Sequence, residues 1–564
     1  MFSRKYILLT VCLFPALVFG QDILNKPYSR YSFSCGKPAG KIILSTSSDP
    51  KSFNPIVAQE VSTTEVTGLI FEGLVRADPR TLEIKPNLAK RWEVKHGGKE
   101  WLFYLRQDVF FNDGVKFTAD DVIFTFNELI YNEDIPTSSR DIFYVNGRKI
   151  SVEKVDDYTV RFILPSSFGP FLRAMSQDIL PQHKYLRAVK EKKFTFAMGL
   201  DCPLKDIVGT GPFKLKQYLP GERIVLEANP YYWKKDSCVQ RLPYLRQVVF
   251  LIMPGQDTAL LRFIDGETDY YALRPQDLAV LGPLAEKKGF TIYNGGISFG
   301  VNFVVFNQTL TGYKSEWFRR GDFRRAIAYA LNRSKMVEIL FNGLGAAQDS
   351  PVEKGNGFFY NPKLIQYDYN PGKARELLLS CGFIPGPDGI LQDKNGRRLE
   401  IDFYTNANDQ LRVQMGSLVK HDLEDIGFKI NFLPLDFNNL VGKINSASGW
   451  EMVLIGLTGG IEPHFAKNVW SYKGALHLWN RSGRPLAAYE EEIETIFNRA
   501  AMSTDDEMRK RLYNRWQEIA VQEVPLIFTA GQYSLYAVRN KFNNMFPTVY
   551  GGAFGEIEYL YPKE

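Results

Sequence analysis

The chain has 564 residues, a formal charge of +6 from 69 Lys+Arg and 63 Asp+Glu, and an aromatic share raised by 29 Tyr, 41 Phe and 8 Trp. That length exceeds a single hydrophobic core and implies roughly two to four domains. The charge is mild and its basic residues are dispersed, with no Lys/Arg run interleaved with aromatics, which argues against a nucleic-acid track.

The N-terminus comes first in chain order. Arg4 and Lys5 precede an apolar run from Tyr6 to Phe19, and Val18-Phe19-Gly20 follows as a cleavage-type ending. This is the pattern of an export signal at residues 1–20, cleaved after about Gly20. The run contains Pro15 and is shorter than the roughly 20 residues a spanning helix needs, so an uncleaved anchor is the lesser reading. Cys12 and Cys35 do not stand where a lipid-attachment cysteine would. Beyond the signal, Cys35, Cys202, Cys238 and Cys381 remain, and export permits a disulfide. Cys202 and Cys238 bracket a strand-rich segment and form the expected pair, worth roughly 3–4 kcal/mol in the chain-entropy model.

Lys41 opens a short apolar strand, KIILS, followed by the turn-rich SSDPKSFNP and a helix expected over residues 63–74. Trp92 and Val94, then Trp101, Phe103 and Leu105, alternate across His96-Gly97-Gly98, which predicts a hairpin with one buried face. Thr118 and Asp121 mark a helix start resembling a capping box, with Val122, Phe126, Leu129 and Ile130 on its apolar stripe. Residues 208–233 read as two strands around Pro220-Gly221, and residues 245–255 and 290–306 as further strands. Helices follow at 322–331 and 334–341, then one punctuated by Asn370, Pro371 and Gly382. A strand at LEIDFYTN, a helix over 410–426 and a strand at FKINFLPLD give β-α-β alternation, and the final strands come near 525–538.

Four ordered blocks carry a family resemblance. They are residues 87–126, 208–233, 322–345 with Ser350-Pro351 following, and 367–383. Across roughly residues 41–545 the chain resembles the family 5 extracellular solute-binding proteins, the peptide- and nickel-binding components of ABC importers. The resemblance implies an α/β fold of the periplasmic-binding-protein type II class, with two lobes, a hinge and an extra subdomain in lobe I. Lobe I would comprise residues 41–298, with the subdomain at about 80–205, and lobe II residues 299–528. Residues 529–564 would return to lobe I. It implies a monomeric periplasmic protein that binds no nucleic acid and needs no cofactor. That protein captures a peptide or peptide-like solute between its lobes and delivers it to an inner-membrane permease complex.

Carried over position by position, the ligand-binding candidates are Ala58, Gln59 and Glu60 from lobe I. From lobe II they are Tyr404, Asn406, Asn408, Phe437, Leu457, Thr458, Gly459, Gly460 and Glu462. Peptide-binding members of the family place an Asp in the last segment to pair with the ligand's ammonium group. Here Gly459 and Gly460 occupy the alignable positions, with Glu462 matching a different acidic position and Glu60 or Glu462 as substitutes. This keeps modified or longer peptides, an oligosaccharide or a metal complex open as ligands. Trp470 and Trp479 suit stacking on a sugar as well as a core, while Glu462, His464 and His477 lack a recognisable metal-ligand spacing.

An enzyme is the competing class. Gly296-Ile297-Ser298-Phe299-Gly300 fits the G-x-S-x-G pattern, with His421, His464 or His477 as candidate base. That chemistry needs a strand, a strained turn and a helix, whereas VNFVVFN continues as a strand, so no catalytic residue is assigned. A chaperone or receptor on the same fold is a third class, because fold does not fix function.

Overall fold

The computed structural model describes residues 32–57, 60–137, 139–446, 449–552 and 555–563. The expected signal segment at 1–20 and the candidates Ala58 and Gln59 lie outside the described residues. Within them, no helix is long and apolar enough to cross a membrane.

The first strand, Lys41–Thr46, buries alternate residues and pairs in parallel with Gln247–Ile252, some two hundred positions away in sequence. Arg223–Ala228 and then Phe213–Leu219 extend that sheet in antiparallel register, closing the hairpin expected around Pro220-Gly221. A separate antiparallel sheet runs in the order Ala89–Lys95, Glu100–Leu105, Thr159–Ile163, Ser151–Asp156. Trp101, Phe103 and Leu105 are buried there as their alternation predicts. Val94 is exposed instead, because its strand is the sheet's edge. Helix Ala119–Phe124 starts where Asp121 accepts hydrogen bonds from Thr118 N and Gln182 N, both at 2.9 Å. Burial lifts this carboxyl to about 6 despite those donors.

The helix expected over 63–74 spans only Val61–Thr67. Beyond it, Leu69 and Ile70 offer their carbonyls to Phe213 N and Gly211 N, and this pairing between distant segments ends the helix.

A third sheet has the order Lys429–Leu435, Glu400–Asn406, Met452–Leu457, Val301–Phe306, Leu526–Phe528. Its first three strands are parallel, with helix Gln410–Glu424 linking Glu400–Asn406 to Lys429–Leu435 as the β-α-β reading expects. Apolar clusters cover both faces, one built around Phe323, Ile327 and Val419, the other around Trp450, Trp479 and Trp516. Helix Pro371–Ser380 is capped by Asn370 Oδ1, which accepts from Lys373 N at 2.8 Å.

The last sheet places Ala530–Arg539 between Tyr270–Leu273 and Phe290–Ile297. Ile297 pairs with Tyr533 in this sheet while Val301 pairs with Leu457 in the third. Similarly Phe528 pairs with Phe303 and Ala530 with Ala347. The chain therefore passes between these two sheets at residues 298–300 and again at Thr529.

The disulfide differs from the expected pair. Cys238 is bonded to Cys35, 203 positions away, and Cys202 is a free thiol. Phe33 stacks on Tyr559 at 4.0 Å and Ser34 N donates to Asn544 Oδ1 at 3.0 Å. The segment before the first strand is thus anchored against the C-terminal region, and that anchoring delivers Cys35 to the loop holding Cys238. Bracketing in sequence carried no trace of this contact.

Candidate functional site

The carboxyl ends of the three parallel strands fall at Asn406, Leu435 and Leu457, on the edge of the third sheet where the chain crosses to its neighbour. Such edges are where open α/β sheets take ligands. Two crossing segments meet there. Gln348 joins both, its Nε2 donating to Gly300 O at 2.7 Å and its Oε1 accepting from Asn302 N at 3.2 Å. Its backbone N donates to Thr529 O at 3.0 Å. Thr529 donates to Asn302 O from its N (3.0 Å) and its Oγ1 (2.9 Å). Gly300 has φ +111°, a region open to glycine, and its N donates to Glu353 Oε1 at 2.8 Å.

Beside this junction lies a cavity of about 390 Å³. Leu457, Thr458, Gly459, Gly460 and Glu462 line it, so the structure gathers these five candidates around one space. Phe303, Trp470 and Trp516 supply apolar walls, and Glu353 and Asn356 come from the loop that follows Ser350-Pro351. Glu353 and Gln348 carry no motif of their own. The only prior signal for Glu353 is an acid in a loop flanked by Pro351 and Gly355.

The remaining candidates Tyr404, Asn406, Asn408 and Phe437 sit at the same sheet edge but do not line this cavity. Asn406 Oδ1 accepts from Asn408 N at 3.0 Å, and Asn408 Oδ1 accepts from Phe437 N at 3.1 Å, so both amides shape a turn. Tyr404 is buried with the Lys443 ammonium 4.7 Å from its ring, and Phe437 is exposed. Glu60 stands at the N-terminus of helix Val61–Thr67, where its carbonyl accepts from Thr63 N at 3.0 Å and Thr64 N at 2.9 Å, and its side chain pairs with Lys51 at 3.1 Å; it does not line this cavity.

Glu462 does not present a free carboxylate as an ammonium anchor. It is fully buried, hydrogen-bonded to Arg509, accepts from His464 N at 3.0 Å, and faces Arg173 at 3.6 Å. A second cavity of about 580 Å³ lies between residues 141–168 and 464–502, and Phe465 borders both. Near it Gly169 N donates to Ala501 O at 2.6 Å, and Arg173 approaches Asp506 at 3.6 Å. The two halves therefore touch on this side as well. Burial, reinforced by Lys467 and Arg509, pushes the His464 imidazole down to about 3.

The enzyme-like and metal-like residues are dispersed. Ser298 Oγ is bonded to Ser534 Oγ at 3.0 Å, in a strand-to-strand passage with no following helix. His421 pairs with Asp425, and His477 holds Val469 O and Glu490. Trp479 Nε1 donates to Glu490 at 2.8 Å, which makes Trp479 a core residue. Among the described residues the one grouping with metal-ligand types is Cys35, Asp236 and Cys238, whose two sulfurs are bonded to each other.

Comparison with known proteins agrees with this architecture. The family model described as bacterial extracellular solute-binding proteins, family 5 Middle, matches residues 83–475. A probable ABC transporter-binding protein of Deinococcus radiodurans is 28% identical over 514 residues, covering 86% of this chain and 85% of that protein. The oligopeptide-binding protein AppA of Bacillus subtilis is 26% identical, covering 78% and 77%. The crystal structure of the ABC transporter substrate-binding protein CtaP of Listeria monocytogenes superposes with a TM-score of 0.76 at 21% identity, covering 94% of this chain and all of that one. The fold is that of the type II periplasmic binding proteins, and with the family model spanning most of its length the chain belongs to the bacterial extracellular solute-binding proteins of family 5.

Proposed function

We propose that the protein is the substrate-binding component of an ABC importer, capturing a peptide or peptide-like solute beside the crossing segments and handing it to an inner-membrane permease. The observation that carries this reading is the cavity at the carboxyl edge of the third sheet, bordered by two chain crossings that Gln348 joins. A ligand seated at a junction of two halves binds both arrangements unequally, and that inequality is what a transporter reads. Lobe I comprises residues 41–298 and 529–564, and lobe II residues 299–528. Leu457, Thr458, Gly459 and Gly460 form the lobe II wall, with Glu60 contributing from lobe I and Tyr404, Asn406, Asn408 and Phe437 flanking. The protein is exported by residues 1–20 and works as a monomer in the periplasm. Relatives named for oligopeptides and for transporter binding support the solute class.

Native mass spectrometry of protein isolated from its own periplasm tests this directly, the expected result being a co-purified peptide. Small-angle scattering should show compaction when that peptide is returned to stripped protein. A purified oligosaccharide or metal complex, or no compaction with a tightly bound peptide, would overturn the reading.

A further inference from the structure

The cavity beside the crossings holds a carboxylate without a counter-charge. Glu353 is 7% exposed and lines the space, its Oε1 receiving one backbone N–H, from Gly300 at 2.8 Å. Among the described residues it forms no ion pair, and the adjacent Lys354 faces Asp349 at 3.5 Å instead. A carboxylate so placed is costly unless a cation meets it. Burial accordingly raises its pKa, opposed by the Gly300 N–H and its own. The surroundings preserve the arrangement. A Cβ on Gly459 would stand 1.8 Å from Glu353 Oε1 and 2.6 Å from Gly300 N, so residue 459 must lack a side chain for the carboxylate to occupy this spot. Trp516 lines the same cavity, and its Nε1 is buried with no acceptor among the described residues.

We infer that Glu353 is the specificity residue for a cationic head group of the solute, an ammonium. The Trp516 indole N–H donates to a carbonyl oxygen of the same ligand. This rests on the solute-capture reading above and sharpens it: the acid that an amine requires comes from the 351–356 loop rather than from the segment after Leu457. Gln at 353 keeps an acceptor for Gly300 N–H and removes the charge, so it separates recognition from structure.

The test uses the mature chain, stripped of ligand, and an equimolar library of four-residue peptides of Ala, Ser, Leu and Phe. The library is offered with free or acetylated N-termini, and captured peptides are counted by mass spectrometry. The expected result is at least about a tenfold preference for free amines, equivalent to 1.4 kcal/mol. Glu353→Gln should abolish the preference without lowering the melting temperature of the empty protein. A Cβ at Gly460 meets nothing within 4 Å, so Gly460→Asp has room for a carboxylate and should restore the preference in the Glu353→Gln background. Equal capture of both libraries by the wild type, or a preference that survives Glu353→Gln, overturns the role of Glu353 while leaving peptide capture intact. Capture of neither library overturns both.

Discussion

The two halves of the molecule meet in two places built on opposite terms. At the crossings, Gln348, Thr529 and Asn302 make a compact network with separations of 2.7–3.2 Å that takes in backbone groups of all three residues. Across the far side, one backbone hydrogen bond from Gly169 to Ala501 is joined by ion pairs from Arg173 at 3.6 Å, too long for hydrogen bonds. Among the described residues, Arg173 Nε and Glu462 Oε2 accordingly have no hydrogen-bond partner. A dense, short junction suits a pivot that survives rotation, whereas a sparse, loosely matched one suits a contact that is made and broken.

The comparison is most severely tested at Glu462, which both serves the far side and neutralises a buried arginine. Glu462→Gln should cost about 3 kcal/mol in chemical denaturation, because it removes one of the two carboxylates that neutralise the buried Arg509 guanidinium. Asp506, at 2.9 Å, retains part of the compensation. At the pivot, Gln348→Ala should destabilise by about 2 kcal/mol, since Gly300 O and Asn302 N lose their side-chain partners. Gly169→Val targets the far contact and leaves the crossings untouched, although its side chain also crowds Arg509. A Cβ there would stand 1.9 Å from Ser503 O, so the halves are propped apart. Scattering should show a larger radius of gyration, and solute affinity should fall about tenfold, equivalent to 1.4 kcal/mol.

The smallest effect is a pH dependence confined to the far side. His464 packs edge-on against Phe168 at 5.4 Å and titrates near 3 in the folded protein. A folded value below the ordinary 6.5 means the neutral ring stabilises the contact above that pH, and this stability is lost as pH falls toward 3. Between pH 6 and 5 the loss should be about 1 kcal/mol. The stability difference between wild type and His464→Gln should show it in melting curves, since buried carboxyls such as Asp121, which respond in the opposite sense over this range, are common to both proteins and cancel. An equal loss in Gly169→Val but none in Gln348→Ala would reverse the assignment of the two junctions.

Local order was the part of the fold legible in the sequence. The hairpin around His96-Gly97-Gly98 and the helix capped by Asn370 carry their signals within a few residues. Contacts between distant segments were not legible. The helix beginning at Val61 ends early because Gly211 and Phe213 take its following carbonyls, and Cys238 meets Cys35 because Phe33 and Tyr559 stack. The site divides in the same way. Leu457 to Gly460 are consecutive and arrive together at the cavity. Asn406 and Asn408 are polar at a strand end for a different reason, to hold the turn toward Phe437. Glu353 was invisible, since its meaning depends on Gly300 and Gly459, which the sheet order alone brings beside it.

The bond between Cys35 and Cys238 has a consequence for how the protein should be prepared. Closing a loop of 203 residues is worth up to about 5 kcal/mol in the chain-entropy model. A reducing cytosol withholds that linkage. Protein harvested from the cytoplasm of an expression host and protein harvested after secretion are therefore different materials. In the first, the stretch from Phe33 to Lys41 is held by noncovalent contacts alone, and trypsin should cut at Lys41 sooner than in the second.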